Sequence, residues 1–416
     1  MRCGVIGTGL GGLLSALGLL MAGHEVTAFE ALSYPGGRFT NRPCKGFQIS
    51  TGALHMIPHG ERGPLGRLLK AFGAGVEIVP SRPNGLVRID GRDYAFRELP
   101  GLLPLTEKAR FAGLLAAQRI DEGDERPYRE WLSRWTSSTL IHEIADSFCG
   151  WSLSVDASGV SSREFMAMTR NIDRLMGPGI PMGGCKGVTD ALVGEIEGLG
   201  GEIKYRERVK GILVRDGAVE GLLARERHPF DLVVSDIGPK ATLGLCPGLP
   251  PEYREKVEGL KEAAGIKISV ACRRPMLGHT GVLFTPQAER IDGLNEVTNA
   301  DPSLAPDGMH LLMSHQTLLP GRDMKEEIRL GLEDLRRLFP GFEKDCEVLA
   351  VQCYRGEWPV NRAVSGMVLG PETPVRGLYL VGDGVKPQGW METEGVAAGV
   401  EVVLERIDHG GLGRAL

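Results

Sequence analysis

The residues best suited to chemistry open the chain. Gly7-Thr8-Gly9-Leu10-Gly11-Gly12 follows a short apolar strand, Val5-Ile6, and runs into an apolar helix, Leu13 to Met21. Gly7 allows the tight turn out of the strand, Gly9 lets backbone approach a pyrophosphate, and Gly12 lets the helix pack on a sheet. The helix N-terminus then offers free N–H groups and a positive dipole to two phosphate charges. Glu30 ends a second strand, where a carboxylate can accept both ribose hydroxyls. An acid there disfavours a 2′-phosphate, so NADP is the least suited dinucleotide. Pro35-Gly36-Gly37-Arg38 lies just beyond. Its N–H groups and guanidinium can address a second part of the pyrophosphate, which favours FAD over NAD.

Candidate reacting groups are fewer. In Gly265-Ile266-Lys267-Ile268-Ser269-Val270, strand alternation puts Ile266, Ile268, Val270 and Cys272 on one face. Lys267, Ser269 and Ala271 share the other, a small-residue face with room for a ring or a water. A half-buried Lys267 could stabilise negative charge on a reduced cofactor; the alternative is a surface strand lysine. His55 and His59 follow Thr51-Gly52-Ala53. Either could act as general acid or base, His55 being nearer the glycine, or could simply hydrogen-bond backbone.

Read as one string, VIGTGLGGLLSALGLLMAGHEVTAFEALSYPGGRFT resembles the opening of the FAD-dependent amine oxidase superfamily, most closely its phytoene desaturase and carotenoid isomerase branch. The resemblance implies a Rossmann-like FAD-binding domain and a set of contacts. Gly382 and Asp383, ending Leu378-Tyr379-Leu380-Val381, would meet the ribityl and phosphate part. Gly389, Trp390 and Met391, before Glu392, would bring N–H groups to the flavin pyrimidine. Thr51, Gly52 and Ala53 would pass close to the flavin, and Val209 would touch adenine, although it also reads as a core strand valine. Lys267 resembles a lysine that holds a water near flavin N5. Met182 to Lys186 resembles a glycine-rich crossing into the flavin domain. Leu32 departs from a position that is often basic. No cysteine lies between Gly382 and Glu392, so FAD is expected to be non-covalent.

The same resemblance implies oxidoreductase chemistry on an apolar polyene or isoprenoid small molecule, by hydride transfer to flavin N5. Amine or tetrapyrrole oxidation, a non-redox flavin isomerase and a non-catalytic flavin-bearing partner subunit are the alternatives. Aromatic residues make up only 6% of the chain, with Trp390 a single candidate wall, which argues against an aromatic amine cage. Trp151, Met166 and Met168 could line an apolar tunnel or simply pack a core. Leu102 to Ile120, with Leu103, Phe111, Leu114 and Leu115 apolar and Lys108, Arg110 and Arg119 basic, could lie on a membrane surface or pack on its own domain.

These residues need elements to hold them. The expected fold class is α/β with an α+β substrate part. The FAD-binding domain is discontinuous over 1–80, 183–245 and 350–416, and the substrate-binding domain takes 81–182 and 246–349. A hairpin turns at Asp90-Gly91, Val209 to Asp236 reads as three strands, and Met324 to Phe339 as a periodic helix with Ile328, Leu332, Leu335 and Phe339 on one face. The 416 residues include 59 glycines without a collagen period, consistent with many tight turns. A net charge of -5 gives no electrostatic case for nucleic acid. Eight cysteines without a C-x-x-C pair or zinc spacing favour a reduced, cytoplasmic setting with no metal.

Overall fold

The computed structural model describes residues 1–407 apart from Leu54, Met176 and Val368. The expected contribution of 408–416 to the FAD-binding part lies outside the described residues. The architecture is mixed α/β, with a five-stranded parallel sheet and a separate seven-stranded sheet.

The parallel sheet has the order Leu378–Leu380, Leu232–Ser235, Arg2–Ile6, Glu25–Phe29, Glu202–Lys204. Its register aligns Ile6 with Ser235 and Ser235 with Leu380. Three strands far apart in sequence therefore end side by side. Their carboxyl ends deliver Gly7, Asp236 and Gly382 to one crevice, the position where open α/β sheets bind ligands. The stretch Val209 to Asp236, read as three strands, holds four: Leu232–Ser235 leaves the three-stranded meander of Gly211–Arg215, Ala218–Leu223 and Arg227–Pro229 and joins the parallel sheet. All four of its residues are buried, which a run of Leu-Val-Val-Ser permits and an exposed hairpin does not.

The helix Leu10–Met21 packs between Gly184–Gly198 and Glu392–Ile407. It is buried along nearly its whole length because apolar residues cover every side of it. Gly18 lets Leu404 approach: a Cβ there would meet the Leu404 side chain on contact. The first and last helices thus pack in one core, with Leu14, Leu17, Val400 and Val403 buried in it.

The seven-stranded sheet runs Cys346–Tyr354, Gly265–Cys272, His310–Thr317, Gly293–Glu296, Val282–Phe284, Gly85–Ile89, Arg92–Ala95. The alternation expected in Gly265–Cys272 holds. Ile266, Ile268, Val270 and Cys272 pack in one cluster with Leu335 and Phe339 from the helix Met324–Leu338 and the residue after it. Asp323 caps that helix by accepting from the Glu326 N–H at 2.9 Å. The strand Cys346–Tyr354, which crosses the expected boundary at residue 350, pairs inside this sheet with an irregularity at Ser269/Val270. Among the described residues no helix is long and apolar enough to cross a membrane. Of the two readings of Leu102 to Ile120, packing on its own domain holds for Leu103 and Leu114, which are buried in the core, while Leu105, Leu115 and Ile120 face out. Trp151, Met166 and Met168 are buried core residues.

Candidate active site

The strand ends open into a cavity of about 410 Å³. Its walls join both ends of the chain: Gly7, Gly9, Leu10, Gly11, Glu30, Gly36, Gly37 and Arg38 from the first forty residues, Gly382, Asp383, Glu392, Thr393 and Val396 from the last forty. Val209, Gly52 and Ala53 also line it.

At one end Ile6, Phe29, Val209, Ile237 and Leu245 make an apolar slot beside Glu30. The Glu30 carboxylate accepts from the Thr8 N–H at 2.9 Å, the Thr8 hydroxyl at 2.7 Å and the Leu32 N–H at 2.7 Å. It is thus fixed at the slot's edge with lone pairs to spare. The middle of the cavity is a glycine cradle. Gly7 turns at φ +87° and Gly36 at φ +93°. The Gly36 N–H donates to the Thr8 carbonyl at 2.7 Å, tying the two glycine segments together. Side chains on Gly11 or Gly382 would press the Asp236 carboxylate at 2.6 and 2.7 Å, so the floor stays open to a backbone-hugging anion only as glycine.

Arg38 closes the cradle. Its guanidinium donates to the Asp383 carboxylate at 2.8 Å and to the carbonyls of Pro359 and Val360 at 2.8 and 2.7 Å. Asp383 also accepts from the Arg362 N–H at 3.0 Å. Burial alone would raise the Asp383 carboxyl, but the Arg38 and Arg362 charges outweigh it and hold it below the usual range. Arg38, expected to face a phosphate, is here the clasp between the N-terminal and C-terminal motifs.

At the far end Gly52, Ala53, Tyr354, Trp358, Glu392 and Thr393 form the walls. Gly52 is required by the crossing of backbones, since a Cβ would strike the Arg38 carbonyl. Thr51 anchors the segment by donating to the Gly37 carbonyl at 2.9 Å. Gly389, Trp390 and Met391 lie off the cavity. The Gly389 N–H donates to the Glu164 carboxylate, and Trp390 meets the His59 ring edge-on at 5.9 Å. Glu392 faces the space instead, from a backbone turn at φ +40° that opens the last helix. Burial pushes its carboxyl up to about 8, with Lys386 opposing.

Lys267 is fully buried and does not line the cavity. Its ammonium donates to the Ser50 carbonyl at 2.7 Å, the Ser50 hydroxyl at 2.6 Å and the Gly52 carbonyl at 2.6 Å. Those three bonds use all its donors, so in this arrangement it holds the wall rather than reaching through it. The face it shares with Ser269 was expected to leave room; both side chains are enclosed instead. Burial lowers the Lys267 pKa to about 7. The unfolded lysine keeps its proton to higher pH, so wild-type stability rises from about pH 7 toward pH 10. Lys267→Met loses that rise, and melts followed against pH will show its deficit widening over this window. Gln352 and Tyr354 still serve the two carbonyls, which keeps the loss near neutral pH to about 1–3 kcal/mol.

His55 is also fully buried, and among the described residues neither ring nitrogen has a hydrogen-bond partner. Burial, and then the Lys267 charge, hold its pKa well below the usual value. Protonation therefore favours the unfolded chain, and stability falls as pH drops below about 6.5. His55→Phe removes two unpaired polar atoms from the interior. It is expected to raise the melting temperature, most at pH 5, by roughly 1–3 kcal/mol equivalent; a lower melting temperature at pH 5 would show that the ring has a partner.

Sequence reading missed Asp236, Asn361, Arg362 and Tyr354, all on the cavity wall. Asp236 had a signal: an acid directly after Leu-Val-Val-Ser, at the carboxyl end of a parallel strand. The others sit on segments with no local pattern.

A Rossmann-type crevice whose glycine cradle and C-terminal acid line one cavity defines a dinucleotide-binding fold. The chain belongs to the flavin containing amine oxidoreductase family, which it matches over residues 10–396, and is an FAD-dependent oxidoreductase of that superfamily. It is 42% identical over 409 residues to the uncharacterized protein MJ1488 of Methanocaldococcus jannaschii, covering 98% of this chain and 100% of that one. An oxidoreductase from Methanosarcina mazei has a crystal structure similar to this fold at a TM-score of 0.94, with 46% identity, over 97% of this chain and 100% of that one. A phytoene dehydrogenase of Streptomyces griseus is 24% identical, over 85% of this chain and 78% of its own.

Proposed function

We propose that the protein holds FAD non-covalently along the 410 Å³ cavity and oxidises an apolar polyene or isoprenoid. The carrying observation is that one continuous space runs from Glu30, past the glycine cradle and the Arg38–Asp383 pair, to Gly52 and Glu392. Val209 would hold the adenosine end, the backbone of Gly9 and Gly11 the pyrophosphate, and Ala53 and Thr393 the flavin end. Among the described residues lining the cavity there is no cysteine or histidine, which supports a non-covalent cofactor. Bound there, the flavin supplies a hydride acceptor.

The chain's own groups do the positioning. Lys267 and Tyr354 fix the Gly52 carbonyl, and so the wall against which substrate would rest. Glu392 keeps its proton at neutral pH and can donate it across the cavity. The apolar substrate class is supported by the similarity to the Streptomyces phytoene dehydrogenase. It is also supported by the outward apolar face of Leu105–Ile120, where Leu105 is 83% and Ile120 84% exposed beside Arg119. A peripheral membrane contact through that face fits a lipid-phase substrate.

A second reading, oxidation of a compact amine, is favoured by one observation: Glu392 stands on the cavity wall, and above about pH 8 its carboxylate could pair with an ammonium where a polyene could make no use of it. The deciding experiment is anaerobic mixing of flavin-loaded protein with isoprenoids in vesicles and, separately, with small amines. Bleaching of the visible flavin band by the isoprenoids supports the first reading. Bleaching by amines alone overturns it.

A further inference from the structure

The anion-binding floor of the cavity contains an acid. Asp236 follows the last residue of the strand Leu232–Ser235, next to the central strand Arg2–Ile6, and its N–H donates to the Ile6 carbonyl at 2.9 Å, which locks its backbone at the mouth of the glycine turn. Its carboxylate lies against Gly9, Gly11 and Gly382 at once, as the spacing to their missing Cβ atoms shows. The Gly12 N–H of the first helix also acts on it. Gly9 itself provides no side-chain cap to that helix. Asp236 thus occupies, from another strand, the place of an N-cap at the very terminus that should receive a pyrophosphate.

The charged groups facing Asp236 are few. Arg362 and Arg38 present cations from two different segments, and Asp383 presents a second carboxylate. The Arg38 charge is already committed to Asp383. Two carboxylates and a pyrophosphate would then crowd two guanidinium groups, and like charges this close cannot all stay ionised.

We propose that Asp236 enters the FAD complex protonated, donating its hydrogen to the bound pyrophosphate, so that cofactor uptake consumes one proton. This rests on the FAD reading of the cavity and adds to it a pH-dependent loading step. Before binding, burial raises the Asp236 carboxyl to about 7, although the Gly12 N–H and the arginine charges pull it down. Below that pH the proton is already present and affinity is constant. Above it each pH unit requires the proton to be taken from solvent, so affinity falls tenfold per unit until the pKa of the complex is reached.

The test uses the full-length apoprotein and FAD. Calorimetric titration at pH 8 in two buffers of different ionisation enthalpy reads the protons taken up. Uptake approaching one per FAD at pH 8 and near zero at pH 6 is expected. In Asp236→Asn, which keeps the shape and a donor, the uptake disappears and the dissociation constant stays flat from pH 6.5 to 8.5. Wild-type binding with no proton uptake and no pH dependence overturns the proposal while leaving the cofactor reading intact. So does unchanged uptake in folded Asp236→Asn. Absence of FAD binding at every pH would overturn both. Should the variant fail to fold, Asp236→Ser is read by the same titration, because Glu392 also faces the cavity and only loss of the uptake in an Asp236 variant assigns the proton.

Discussion

Arg38→Met is expected to lower the stability of the apoprotein by about 3–5 kcal/mol and to weaken FAD binding by at least 100-fold. The reason lies in what the guanidinium leaves behind. Asp383 would keep the Arg362 N–H at 3.0 Å, but its nearest remaining cation, Arg362, stands 3.7 Å away. The carbonyls of Pro359 and Val360 would each lose their Arg38 donor. A carboxylate left in this enclosed place with only the longer Arg362 pair is the costly outcome, more than the loss of the ion pair itself. Differential scanning calorimetry reads the stability and fluorescence titration reads the binding. The same substitution with Asp383→Asn tests the cause: removing both charges together should recover much of the melting temperature but not the FAD affinity, because the clasp stays open.

Gly12→Ala is the second large effect. The added Cβ would run into the Gly7 carbonyl, and both partners are backbone. The helix Leu10–Met21 cannot slide away, because Gly184–Gly198 and Glu392–Ile407 enclose it. Overpacking of this kind costs roughly 1–3 kcal/mol where side chains can yield, and the upper end is expected where none can. The strain falls on the turn that carries Gly9 and Gly11. FAD content after purification should drop to a small fraction of wild type while far-ultraviolet circular dichroism stays native. Full flavin content in a folded Gly12→Ala protein would mean that the turn is not where the pyrophosphate rests.

How much of this was legible in the sequence follows from what each residue depends on. Gly7, Gly9, Gly11, Gly36 and Gly37 were legible because a local backbone requirement fixes them. Glu30 was legible because it ends a strand at the proper distance from the turn. Gly382 and Asp383 were legible once the first motif had raised the expectation of a second. Asp236 and Arg362 were not, because their place comes from strand register: only the alignment of Ile6, Ser235 and Leu380 brings Asp236 beneath both glycine segments. Gly389, Trp390 and Met391 turn away toward Glu164 and His59, and the wall is made by Glu392, Thr393 and Val396. Lys267 was picked out for chemistry by its strand and its neighbours. Its three acceptors, all on the Ser50–Gly52 segment, could not be read from those neighbours, since they lie more than two hundred residues earlier in the chain.

The seven-stranded sheet was less legible than the parallel one. Cys346–Tyr354 has no clean alternation, because its residues are only partly covered, yet it pairs along the full length of Gly265–Cys272. Backbone pairing of this kind leaves a weak trace in side-chain type.

The most direct test of the account is an equilibrium titration of apoprotein with FAD, repeated with Arg38→Met and Gly12→Ala. One FAD per wild-type chain, with both variants weakened although one opens the Arg38–Asp383 pair and the other strains the glycine turn, is the predicted result. A wild-type chain that takes up no FAD, or one whose uptake ignores both substitutions, would contradict a single cofactor held between the two ends of the chain.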